Sequence, residues 1–128
     1  MDERAPLLAA MHGAEHQTFG PVEIDVVTVG DARIKRVIYP PGLRWSVDLR
    51  PMVGTETCQH AHVGFLAHGA LRFEYPDGCV VELDAPAVVD VAPGHDAWVS
   101  GDEPAVLIEV DYLGDTVARL GVAGAHRH

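Results

Sequence analysis

Four side chains able to bind a transition metal fall in two short stretches of this 128-residue sequence. Cys58, His60 and His62 stand at alternate positions of Gly54-Thr55-Glu56-Thr57-Cys58-Gln59-His60-Ala61-His62, and His95 follows in Pro93-Gly94-His95-Asp96. If the first stretch is a regular strand, Glu56, Cys58, His60 and His62 share one face, because successive strand side chains point to opposite sides. Thiolate, imidazole and carboxylate are donors for zinc, iron, nickel, copper or manganese, imidazole being the least selective. Asp96, next to His95, is placed to orient a ligating ring as hydrogen-bond acceptor. Trp45 and Trp98 are candidate aromatic walls of a ligand pocket, and Asp48 and Arg50 candidate contacts to a polar ligand. Each has a plainer reading: a hydrogen-bonded core histidine, an inert buried thiol, core tryptophans, a solvated ion pair. Nucleophilic chemistry at Cys58 beside His62 is a weaker option, since no oxyanion donors accompany the pair.

The elements that must hold these groups are strands. Val22, Ile24 and Val26 alternate with Glu23 and Asp25. Leu71, Phe73 and Tyr75 alternate with Arg72 and Glu74, Pro76-Asp77-Gly78 supplies a turn, and Val81 and Leu83 complete a hairpin. Val106, Ile108, Val110 and Tyr112 alternate with Leu107, Glu109 and Asp111. With Gly or Pro punctuating the chain about every ten residues, many short strands point to an all-β sandwich or barrel. Short helical turns are expected at Pro6–Met11 and Thr116–Leu120. The organisation read from this is an N-terminal segment 1–20, a barrel 21–114, and a C-terminal turn and tail 115–128 carrying His126 and His128.

At this point the sequence resembles the cupin superfamily of small jelly-roll β-barrels. Gly54-x5-His60-x-His62 matches the opening of the first cupin motif, Phe65-Leu66-Ala67-His68-Gly69-Ala70-Leu71 its closing strand–Gly–strand step, and Asp90–Trp98 the second motif. It is closely similar to a group of small bacterial cupins through Pro41-Gly42-Leu43-Arg44-Trp45-Ser46, Gly54–Gln59, His62-Val63-Gly64-Phe65 and Pro93–Pro104. The family's three-His-one-Glu metal set cannot be assembled. No glutamate follows His62 at the required distance, Asp48 and Arg50 occupy two histidine slots, and Pro51–Gln59 reads as an inserted loop. A different set drawn from Cys58, His60, His62 and His95 replaces it, around a pocket with Trp45, Asp48, Glu56, Asp96 and Trp98. The resemblance implies a single-domain cupin jelly-roll barrel that pairs as a homodimer. It implies either a metal-dependent enzyme acting on a small organic substrate or a non-catalytic small-molecule sensor.

Composition bounds the partners. A formal charge of −10 argues against nucleic acid and anionic membrane, which recruit Lys and Arg. Pro6–Met11, the longest apolar stretch, is far short of the roughly 20 residues of a membrane helix. The start Met1-Asp2-Glu3-Arg4 lacks the order of a secretory signal, so a cytoplasmic setting is expected, with Cys58 and Cys79 as free thiols. The acidic residues, Glu23, Asp25, Asp77, Asp102 and Glu103 among them, are expected on exposed positions.

Overall fold

Period-two patterning builds nine strands in the computed structural model, which describes residues 6–112 and 116–124. They are β1 (Glu15–Phe19), β2 (Val22–Val29), β3 (Ala32–Tyr39), β4 (His62–His68), β5 (Ala70–Glu74), β6 (Val80–Asp84), β7 (Ala87–Val91), β8 (Asp96–Val99) and β9 (Ala105–Tyr112). Three short helices accompany them: α1 (Trp45–Asp48), α2 (Arg50–Val53) and α3 (Thr116–Leu120). One sheet has the order β1-β2-β3-β9-β4-β7 and the other β6-β5-β8. Their inner faces meet in one core, Leu66, Val89 and Leu107 packing with Leu71, Phe73 and Val99. Each such side chain contributes about 1.5–3 kcal/mol on burial. This is the all-β, double-sheet architecture expected from the strand spacing, arranged as the jelly-roll that the resemblance implies.

The expected hairpin forms in the register its alternation requires. Phe73 pairs with Val81 and Leu71 with Leu83, and the Asp77 carboxylate accepts a hydrogen bond from the Cys79 backbone N–H at 2.9 Å. Thr116–Leu120 is helical, whereas Pro6–Met11 makes only a turn at its start and then runs across the outer face of the large sheet. There the Ala9 carbonyl accepts from Arg36 and the Met11 N–H donates to Asp25 at 2.8 Å.

Several expectations need correction. Residues 54–61 are not a regular strand: apart from one bridge, Cys58 to His95, pairing begins only at His62. Glu56, Cys58, His60 and His62 therefore do not line up on one pleated face. Asp48 ends α1 and Arg50 opens α2. Both are exposed, so neither fills a strand position that faces the interior. β1 lies inside the segment 1–20 but pairs along its length with β2, so it belongs to the sheet. Asp25 is buried, because the chain at 9–11 and the Arg36 guanidinium, 2.9 Å away, cover it. Met1–Arg4, the 114/115 boundary, His126 and His128 lie outside the described residues.

The largest difference concerns β9, which is central in its sheet, between β3 and β4. Its Leu107, Glu109 and Asp111 are buried at 0%, 2% and 1% exposure, although Glu109 and Asp111 are the polar half of the alternation. Register explains it: Lys35 lies opposite Glu109 and Arg33 opposite Asp111. Buried carboxylates are tolerable when paired and hydrogen-bonded. Here Lys35 Nζ is 2.6 Å from Asp111 Oδ2 and Arg33 Nε 2.7 Å from its Oδ1.

Candidate metal centre

Between the sheets lies a cavity of about 430 Å³, within the size range of small-molecule sites. Cys58, His60, His62, His95 and Glu109 line it, as do Trp45 and Trp98. His62 enters from the first residue of β4 and Glu109 from the middle of β9. The bridge just before β8 holds Cys58 and His95 together: the Cys58 N–H donates to the His95 carbonyl at 2.7 Å, and the Gly94 N–H to the Cys58 carbonyl at 2.7 Å. Gly94 has φ of 96°, a left-handed conformation suited to glycine, and this turns the chain so that His95 faces inward.

Donor atoms of Cys58, His62 and His95 lie within 4.8 Å of one another, and so do those of His60, His62 and Glu109. The two sets share His62. Both key rings are oriented from behind. His95 Nδ1 donates to the Ala92 carbonyl at 2.8 Å, which leaves Nε2 with its lone pair. Nε2 is buried without a hydrogen-bond partner. His62 Nδ1 donates to the Glu109 carboxylate, so its Nε2 is likewise left as the donor nitrogen. A ring whose far nitrogen is held by a carbonyl or carboxylate is the usual arrangement of a metal-ligating histidine.

The electrostatics suit donors held in neutral form until a cation arrives. Burial lowers His95 to about 4, with the neighbouring His62 adding to the effect. Burial pushes the Cys58 thiol up to about 11. Glu109 is opposite: desolvation would raise it, but the interaction with His62, the hydrogen bond from that ring and the nearby His60 hold it well below the usual carboxylate range.

One prediction follows for the metal-free protein. His95 has a folded value near 4 against an ordinary 6.5, so below pH 6.5 the unfolded chain binds the extra proton first. Stability is expected to fall by about 3 kcal/mol as pH drops from 6.5 to 4. The lowered carboxylates Asp25 and Asp111 lose their stabilising contribution only further down, as pH falls below about 4. Urea unfolding in chelator at pH 7 and 4.5 measures the histidine window. An unchanged slope in His95→Gln would assign it elsewhere.

Of the two tryptophans in the cavity wall, Trp45 is buried, and the Arg44 guanidinium sits 4.5 Å over the Trp98 ring. Other expected site residues are placed differently. Asp96 does not orient His95; its carboxylate accepts from Ser46 N at 2.9 Å, Ser46 Oγ at 2.8 Å and Arg44 Nε at 3.0 Å, clamping α1 to β8. Asp48 accepts from the Arg44 backbone N–H at 2.9 Å, and Glu56 is exposed; neither lines the cavity. His60 stands at the wall, its side chain 36% exposed and its Nε2 3.5 Å from Glu109. His68 meets Glu103 at the surface, 2.6 Å away. Glu109 is the site residue the sequence reading missed. Its signal was the matched spacing of Arg33-x-Lys35 and Glu109-x-Asp111, two strands able to neutralise each other.

No family model and no curated protein matches the sequence. Solved structures do. AerE from Microcystis aeruginosa superposes with a TM-score of 0.57 at 19% identity over 78% of this chain, which spans 46% of AerE. A cupin-like protein from Thermotoga maritima gives 0.49 at 18% identity over 70% of this chain and 66% of its own. At these identities the likeness is one of fold alone, and it agrees with the two-sheet, all-β architecture described above.

Proposed function

We propose that this protein binds one divalent transition-metal ion through Cys58 Sγ, His62 Nε2 and His95 Nε2, and with it a small organic ligand in the same cavity. The observation that carries the reading is His95 Nε2, a nitrogen of a fully buried ring with no hydrogen-bond partner. Leaving such an atom unpaired costs about 1–3 kcal/mol, which a coordinate bond offsets. A thiolate with two imidazoles suits zinc or copper, and also iron or nickel, better than manganese. Bound there, a metal supplies Lewis acidity to an oxygen atom of the ligand. The chain's own part is to fix the donors: Ala92 holds His95, Glu109 holds His62, and the surrounding apolar residues keep water scarce.

Metal analysis of protein purified without a histidine tag tests this. About one equivalent is expected after reconstitution, and cobalt-loaded protein is expected to show a thiolate-to-metal band that Cys58→Ser lacks. A wild type that retains no metal after reconstitution sinks the reading. Glu109→Gln is expected to weaken binding 10- to 100-fold, the usual effect of losing a ring-orienting carboxylate. Competition against a chromophoric chelator measures it.

A further inference from the structure

The cavity's lining is divided by polarity. His62 of β4, Glu109 of β9, Lys35 of β3 and the bridged Cys58 and His95 supply its polar lining, whereas Phe19, Val22, Ile24, Leu49 and Val53 from β1, β2 and the α1–α2 region supply an apolar one. Two strand spacings separate β9 from β2, roughly 10 Å. The apolar side also extends outward. Phe19 and Val53 are 37% and 44% exposed, and apolar residues left wet around a cavity mark a binding surface.

Charge at the polar end is nearly balanced by the protein itself. Glu109 and Asp111 face Lys35 and Arg33: Lys35 Nζ lies 3.9 Å from Glu109 and 2.6 Å from Asp111, and Arg33 pairs with Asp111. A divalent ion held by one thiolate and two neutral imidazoles adds a single positive charge. A buried, uncompensated charge is costly. A head group carrying one negative charge removes it, while a dianion would leave the opposite imbalance. Lys35 and Arg33, already engaged by carboxylates, are not available to hold a second anionic group.

Resting on the metal reading above, we infer that the ligand is a monoanionic amphiphile: an oxygen-donor head such as a carboxylate, enolate or hydroxamate at the metal, and an apolar body of roughly 10 Å lying toward β1, β2 and α2. Straight-chain hydroxamates from two to eight carbons, titrated into zinc-loaded protein by calorimetry, test this. Affinity is expected to rise about fourfold per added methylene, the increment for burying each one, and the rise is expected to flatten in Phe19→Asp and Val53→Asp. A series whose affinity does not change with length overturns the apolar body while leaving the metal site standing. 1-Octanol binding as tightly as octanohydroxamate overturns the anionic head. Protein that takes up no zinc loses both readings together.

Discussion

His95→Ala is expected to lose metal binding while remaining folded. The ring is wholly buried, so its removal leaves a hole and lowers metal-free stability by about 2–3 kcal/mol. The loss is limited because nothing is orphaned: the Ala92 carbonyl keeps its bond from Tyr75 Oη at 2.8 Å. Losing one of three donors is expected to weaken metal affinity at least about 100-fold, beyond what an orienting partner contributes. Since a ligand of the native state adds stability in proportion to the logarithm of its concentration over Kd, that removes about 2.7 kcal/mol of metal-dependent stabilisation. Thermal unfolding with zinc and with chelator separates the two effects, because only the second depends on metal. His60→Ala provides the comparison. If the ion sits at Cys58, His62 and His95, the zinc-dependent shift survives in His60→Ala and vanishes in His95→Ala; the reverse outcome moves the ion to His60, His62 and Glu109.

What the sequence made legible, and what it did not, follows from which interactions are local. The β5–β6 hairpin could be read because its turn residues and its alternating apolar set both lie within fifteen residues. His62 and His95 stood out because they sit in short stretches of recognisable pattern. Glu109 did not, since its environment comes from β3 and β4, more than forty residues away. In β9 the apolar residues Ile108 and Val110 lie on the outer face and the carboxylates lie inside. Alternation gives the period of a strand but not which face is inward; that choice is made by partner strands, here through Lys35 and Arg33. The geometry of 54–61 was hidden for a related reason. Its alternate donors suggested a strand, yet Pro51 and Gly54, with φ of 85°, place a short helix and a left-handed turn directly before it. Cys58 and His95 come together through one bridge rather than a ladder.

Gly64→Ala is expected to be the most damaging single methyl that can be added near the site. Gly64 lies in β4 directly opposite Glu109 of β9. Its backbone has no left-handed requirement, so conformational freedom is not the reason for glycine here; close approach is. A Cβ at this position would fall on the Ile108 carbonyl oxygen and 2.9 Å from the Glu109 Cα. Both are backbone atoms of the central strand and cannot rotate away. Ordinary overpacking costs about 1–3 kcal/mol because side chains yield; here β4 and β9 must separate, and a loss of about 4 kcal/mol or more is expected. That is a large share of the 5–15 kcal/mol typical of a domain. The separation would also break the His62–Glu109 contact two residues away, so metal affinity should fall in whatever fraction still folds. Gly94→Ala calibrates the result. Nothing lies within 4 Å of a Cβ there, so only the left-handed backbone penalty of about 1–2 kcal/mol applies. Denaturant midpoints of the two variants decide the matter: equal losses would mean that β4 and β9 tolerate a wider spacing, and that the close approach of these strands is not what sets His62 against Glu109.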